Sequence, residues 1–277
     1  MKVYTHSRYN YVRIAEIQKS ELQKITFDLC RQPRETLASY YNRQIDKPDL
    51  VVNAGFFAMN NGNTCFNYIS NGTTVNEVPS YKWGLGVVGD TDVSYGEMHS
   101  KNWKGWISGY PNLIDNGKKL NIDFALELNY KARRTMIGYN DTTIYIVCVE
   151  NPGMNFNQMQ NLMLDLGCKY AINLDGGGST KMLHKGVSVT KDATNRPVDN
   201  VIAIHLKEET QKRKLYKVQV GAFSLRGNAE NFLQTVKNLG GEYSKAYITS
   251  VNGLFKIQVG AFGVKANAEK MMNDLKS

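Results

Sequence analysis

The sequence has no C-x-x-C pair: Cys30, Cys65, Cys148 and Cys168 are its only cysteines, and they stand far apart. Its four histidines, His6, His99, His184 and His205, show no metal-ligand spacing either. Both absences argue against a structural zinc site and leave the cysteines to be read as mostly buried thiols. No apolar run approaches the length that spans a bilayer, so no membrane insertion is expected. The opening MKVYTHSRYNYVRIAE lacks the apolar core and small-residue cleavage site of a secretory signal, so action outside the cytoplasm would need another route of release. With 277 residues, 42% of them hydrophobic and 21% charged, the composition is that of a globular chain with room for one large domain and a small one, or two medium ones.

Three glycine-loop signatures are also missing from the most glycine-rich stretch, AINLDGGGSTKM, Ala171 to Met182. A P-loop would need a second glycine directly before Lys181, a dinucleotide fingerprint would need G-x-G-x-x-G opening a helix, and a nucleophile elbow would need glycine two residues after Ser179. What is there is an apolar strand that ends in Asp175, followed by Gly176, Gly177 and Gly178. Such a run lets backbone approach a ligand closely, with Asp175 at the strand-to-loop junction where catalytic carboxylates often sit. A tight turn capped by the Asp175 side chain accounts for the same residues.

The net charge of +9 is unevenly distributed, because from Lys207 onward twelve Lys and Arg face six Asp and Glu. In the same region KVQVGAF, Lys217 to Phe223, recurs as KIQVGAF, Lys256 to Phe262. Each copy alternates as a strand does and precedes a helical pattern, Ala229, Phe232, Leu233 and Val236 in one case, Ala268, Met271, Met272 and Leu275 in the other. Asn252-Gly253 marks a hairpin between them, giving the order βαββα. This repeat resembles the SPOR domain, which implies binding to peptidoglycan glycan strands that lack stem peptides. The family usually closes with a further short strand, whereas this sequence ends after the second helix, so a sheet with one strand fewer is expected. RNA recognition uses a similar layout, but the R/K-G-F/Y-G/A-F-V-x-F/Y signature is missing and no nucleic acid is expected as partner. Gln219 and Gln258 alternate with apolar neighbours and are the candidate glycan contacts. The charged run KEETQKRK separates this domain, residues 216–277, from residues 1–206, with residues 207–215 as linker.

Before the linker, strand-like runs at Leu50 to Asn53, Thr143 to Val149, Tyr170 to Leu174 and Val201 to Leu206 mix with a helical pattern at Asn157 to Leu166. An α+β fold with a mixed-sheet catalytic domain is expected. Five patches in order then resemble the phosphodiester glycosidase family: NAGFF from Asn53, SGYPNLIDNGK from Ser108, RRTMIG from Arg133, NLDGGGST from Asn173 and NRPVDNVIAI from Asn195. The likeness runs over about residues 10 to 206.

A sugar C1–O bond to a phosphodiester breaks through an oxocarbenium-like transition state, and phosphate already leaves well. Such a site needs a carboxylate for the sugar and hydrogen-bond donors for the phosphate. The resemblance implies Asp175 for the first, as nucleophile, base or electrostatic stabiliser, and Arg134 as a phosphate clamp. Gly176, Gly177, Gly178, Ser179 and Thr180 would add hydrogen bonds, Arg196 a further anion contact, and Asn53, Phe57 and Thr135 substrate contacts. Asn53 as a turn residue and Phe57 as core are the plainer alternatives. Glu127 and Glu150 are candidates for a second carboxylate. No metal site is expected, and the residues name no cofactor.

Together the two resemblances imply a glycosidase directed to the bacterial cell wall, cutting a sugar-1-phosphodiester of N-acetylglucosamine type, as where teichoic acid joins peptidoglycan. Alternatives are a phage-type endolysin that cleaves the glycan chain itself and a cell-wall-binding module without activity.

Overall fold

The computed structural model describes residues 1–32, 34–122, 127–191, 194–207 and 215–275. The chain divides into two compact units, Met1–Lys207 and Glu208–Ser277. Most of the linker expected between residues 207 and 215 lies outside the described residues.

The first unit is built from three sheets whose strand pairings are antiparallel. A seven-stranded sheet has at its centre Val12–Gln18, Thr143–Met154, Ala132–Tyr139 and Tyr170–Leu174. A five-stranded sheet centres on Met182–His184, Leu50–Asn53 and Asn200–Leu206, and a second one on Trp103–Ser108 and Trp83–Val88. The four strands and the helix expected from the sequence are all present, with ends displaced by a residue or more in three cases. Thr143–Met154 runs on past Val149, the last strand begins at Asn200, and the helix spans Phe156–Asp165.

Side-chain alternation sorts each strand between two packing layers. Ile137, Ile172, Leu174, Val52, Met182, Ile202, Leu85 and Ile107 meet in one core enclosed by the three sheets. Met136, Val147 and Val149 point the other way, onto Phe156, Met159, Leu162 and Met163 of the helix. That helix starts at a capping box in which Asn155 and Gln158 satisfy each other's backbone amides. Val51, Leu183 and Ala203 face a third layer with Leu37 and Tyr40 of the short helix Leu37–Arg43. Strands apolar on both faces are buried on both faces, which is why they read as unbroken hydrophobic runs.

The second unit has the expected βαββα order: Tyr216–Phe223, Arg226–Asn238, Tyr247–Val251, Leu254–Phe262 and Lys265–Asp274. Its three strands pair antiparallel with Leu254–Phe262 in the middle. Ala229, Val236, Ala268 and Met271 pack from the helices onto Val218, Ile257 and Val259. Phe232 and Met272, grouped with them by spacing, are largely exposed.

Candidate active site

The two sheets that share residues 170–184 meet where the Tyr170–Leu174 strand ends. From there the chain crosses through Asp175 to Lys181 and enters Met182–His184, which pairs with Leu50–Asn53. The crossing is tied down from both sides. The Asp175 amide donates to the Ala54 carbonyl (2.9 Å) and the Asn53 amide to the Lys181 carbonyl (3.3 Å).

The glycines answer to close approaches. A side chain at Gly176 would meet the Arg133 carbonyl oxygen at 2.5 Å, and Gly177 holds φ of +58° in a single turn of 3-10 helix. At Gly178 a Cβ would lie 2.4 Å from the guanidinium carbon of Arg196, so this residue makes room for the arginine. Arg196, exposed and twenty-one positions along the chain from Asp175, is thereby brought over the loop. Thr194 secures the approach by donating to the Gly178 carbonyl (2.7 Å), and Lys181 Nζ donates to Asn195 Oδ1 (2.6 Å).

Asp175 is partly exposed, with Oδ1 accepting from the Gly176 amide (2.9 Å). Burial pushes its carboxyl up from the ordinary 3.8 to about 6, against the pull of the neighbouring Ser179 hydroxyl, the Gly176 amide and the Arg196 charge. The Ser179 hydroxyl is buried beside Asp175 but makes no hydrogen bond of normal geometry. A carboxylate tuned into the working pH range next to a guanidinium is the chemically distinctive feature of the site.

Several predicted site residues are placed elsewhere. Arg134 does not reach the loop. Its guanidinium lies on the helix-covered face of the Ala132–Tyr139 strand, donates to the carbonyls of Leu128 (2.6 Å), Tyr130 (2.8 Å) and Met154 (3.3 Å), and packs over Phe156. Because side chains alternate, its neighbour Arg133 takes the site side, where Nη2 donates to the Thr180 carbonyl (2.9 Å). Of the doublet, Arg133 and not Arg134 faces the glycine loop.

Asn53 is fully buried. Its Nδ2 donates to the Asp175 carbonyl (2.7 Å), and its Oδ1 accepts from the Thr135 hydroxyl (2.9 Å) and the Lys181 amide (3.1 Å). Asn53, Thr135 and the buried Thr180 therefore brace the loop from below, without access to a substrate. Phe57 lies in the third packing layer with Leu37 and Val51, the plainer of its two readings.

Phe56, its neighbour, joins Phe66, Tyr81 and Tyr110 in a cluster of edge and stacked rings, with centroids 4.4–6.3 Å apart. Tyr110 is held next to the carboxylate strand, since its amide donates to Asn173 O (3.2 Å) and its carbonyl accepts Asn173 Nδ2 (2.6 Å).

Of the two further carboxylates, Glu150 is buried in an ion pair with Arg13 (2.5 Å) and accepts the Lys191 amide, which makes it structural. Glu127 is exposed and near Tyr110, whose phenol is raised by burial, by Tyr81 and by this charge. Asp199, not anticipated from the sequence, is buried and accepts from Thr64 and Asn200, while Asn200 Oδ1 accepts the Gly55 amide. Cys65 departs from the expectation of buried thiols, which Cys30, Cys148 and Cys168 meet. It alone of the four thiols is exposed, and its pKa is raised by burial and by the charges of Asp175 and Asp199. Asp199 and Asn200 fall within the NRPVDNVIAI patch, but no sequence pattern sets them beside Thr64 and Gly55, which distant segments bring to them. Among the described residues, no three His, Cys, Asp or Glu side chains gather as metal ligands.

In the second unit Gln219 stands opposite Gln258 across the strand pair. Gln219 is exposed, whereas Gln258 is buried with its Oε1 accepting from the Tyr247 hydroxyl (2.8 Å).

Two family models match the chain, a phosphodiester glycosidase over residues 46–205 and a SPOR domain over residues 212–277. The first spans more than half of the sequence, and the chain belongs to the phosphodiester glycosidase family. It carries a SPOR domain behind that unit. No curated protein matches it. Among solved structures, the catalytic domain of zebrafish N-acetylglucosamine-1-phosphodiester alpha-N-acetylglucosaminidase, auto-inhibited by its pro-peptide, is similar over 74% of this chain and 87% of its own, with 18% identity and a TM-score of 0.55. A hypothetical protein from Synechocystis is similar over 74% of this chain and 61% of its own, with 14% identity and a TM-score of 0.59. At these identities the likeness is one of fold.

Proposed function

We propose that the chain is a cell-wall-directed glycosidase that hydrolyses a sugar-1-phosphodiester, of N-acetylglucosamine type, in bacterial envelope glycopolymers. The observation that carries this reading is the Asp175 carboxylate at the head of the glycine loop, with the Arg196 guanidinium lying against Gly178 of the same loop. The two side chains offer opposite charges to the two ends of the bond that breaks. As the C1–O bond lengthens, its electron pair moves to the phosphate oxygen, where the Arg196 guanidinium meets the growing negative charge. Positive charge develops on the sugar and is met by the Asp175 carboxylate, as nucleophile or as electrostatic partner. Water completes the reaction at C1, giving a free reducing sugar and a phosphomonoester. Phosphate leaves without protonation, so one carboxylate suffices for the step, and Arg133 and Lys181 add positive charge around the loop.

The second unit supplies delivery in this reading. The exposed Gln219 amide and the Tyr247 phenol, oriented by the buried Gln258, are suited to sugar hydroxyls, and linkage to a glycan binder raises the local concentration of the catalytic unit at the wall. The site of action would be the bacterial cell wall.

The test incubates the wild-type protein and Asp175→Ala with Gram-positive cell walls, with and without teichoic acid, and identifies released products by mass spectrometry. Asp175-dependent release of teichoic acid with a free reducing end, leaving phosphate on the wall, is expected. Release of glycan fragments from stripped walls, or no release at all, would overturn the reading.

A further inference from the structure

Next to the Asp175 site runs a groove of about 610 Å³, within the about 300–1,000 Å³ of small-molecule sites. Tyr81, Trp83, Tyr110, Asn112, Leu120 and Asn121 are among its lining residues. Among the described lining residues Lys82 carries the one charge, and no carboxylate is among them. The groove adjoins the place where chemistry is expected, because Tyr110 lines it and is also bound through its backbone to Asn173, two residues before Asp175.

Trp83 gives the groove its character. The residue is 46% exposed, yet its indole is packed against a neighbouring ring. One ring stacks on Tyr95 (5.5 Å), Tyr95 on Tyr170 (5.3 Å) and Tyr170 on Tyr139 (5.2 Å), with Lys19 Nζ 4.4 Å from the last centroid. Asn112 Nδ2 donates to the Trp83 carbonyl (3.3 Å) and fixes the backbone too. An immobilised aromatic surface binds without the entropy loss of ordering a mobile one. A pyranose ring matches it, since one face of the sugar is a patch of C–H groups and its rim carries hydroxyls for Asn121, Ser80 and Lys82. Among the described lining residues there is no cluster of cations of the kind that would hold a nucleotide or an acidic peptide.

We infer that this groove is a saccharide subsite, which takes the sugar units of a glycan chain next to the bond positioned at Asp175. The inference rests on the proposed glycosidase reading for its place in the substrate, and it makes the enzyme selective for polymers over small phosphodiesters.

Trp83 is also the reporter that tests it. The other two tryptophans, Trp103 and Trp106, are 4% and 0% exposed, and none lies in residues 216–277, so glycan bound by the second unit is silent. The full-length Asp175→Asn protein is titrated with β-1,4-linked N-acetylglucosamine tetrasaccharide while tryptophan fluorescence is followed. A saturable change is expected, with affinity about tenfold weaker in Asn121→Arg and in Ser80→Arg, exposed positions on the groove walls that leave Trp83 in place. No change up to millimolar tetrasaccharide, a response that both arginine variants leave intact, or a response to nucleotide alone would overturn the inference. Turnover is not read, so a positive titration beside a failed wall digest sinks only the proposed reaction. A wall digest that succeeds with no titration sinks only the groove.

Discussion

The side chain of Asn53 holds Asp175 by its backbone, with Nδ2 donating 2.7 Å to the Asp175 carbonyl while Oδ1 accepts the Lys181 amide at the far end of the same loop. One buried amide thus fixes the entry and the exit of the glycine loop. Asn53→Ala strips the Asp175 carbonyl and the Lys181 amide of the Asn53 side chain and leaves the Thr135 hydroxyl only its 3.5 Å contact with Thr180, and it should destabilise the protein by about 2–3 kcal/mol, measured by denaturant unfolding. Asn53→Asp keeps the shape but turns an oxygen toward the Asp175 carbonyl. In its folded fraction kcat should fall while KM holds, as expected for a residue that positions Asp175 and does not touch substrate.

Asp175→Asn should lower kcat at least about a hundredfold and make the fold more stable at neutral pH. In the wild type, the folded carboxyl at about 6 lies above the unfolded value of 3.8. Stability present below 3.8 is therefore lost as the pH rises through about 6. At pH near 8 the variant should gain about 1–3 kcal/mol, and near pH 4 the gain should shrink toward zero, read by thermal melts at both values.

The same shift sets the pH profile. If the ionised carboxylate is the active form, kcat/KM should rise with pH along a limb near 6 and show no acid-requiring fall just above it. Substrate phosphate on Arg196 offsets the charge that pulls the Asp175 pKa down, so the limb in kcat should lie higher than the limb in kcat/KM. Arg196→Ala should raise the free-enzyme limb for the same reason.

Arg196 and Arg134 should separate cleanly. Arg196→Ala should reduce kcat/KM by about tenfold to a thousandfold on phosphodiesters and leave the melting temperature within a degree or two, because the side chain is exposed. Arg134→Met removes three hydrogen bonds to carbonyls, that of Met154 buried and those of Leu128 and Tyr130 part-buried, and should cost about 1–3 kcal/mol of stability, with near-normal kinetics in the folded fraction. Gly178→Ala displaces the flexible Arg196 head and should reproduce the kinetic loss at little cost to the fold.

For the second unit, pull-down on sacculi should weaken several-fold in Gln219→Ala with unchanged stability, since that side chain is exposed. Gln258→Ala also strips the Tyr247 hydroxyl of its partner and should lose about 1 kcal/mol in addition. Unchanged retention in both would remove these residues from the glycan surface.

Much of the frame is legible in the order of residues because it depends on local patterns. Leu50–Asn53 and Tyr170–Leu174 match their expected bounds, since apolar runs bounded by polar loops leave little choice. The twin QVGAF segments place the second unit, and the DGGGS run marks the loop that carries Asp175.

Which side of each element matters follows from packing between elements and not from their order in the chain. In Arg133-Arg134 adjacent side chains take opposite faces, and the sequence does not say which face a helix will cover; the packing of Phe156 over Arg134 settles it. Asn53 at a strand end reads as a ligand contact until the second sheet closes over it. The meaning of Gly178 depends on Arg196 arriving from a distant loop, and the Trp83 groove on a stack of rings drawn from four separate strands. Period and propensity act over a few residues, whereas burial and juxtaposition are set by contacts between segments far apart in the chain.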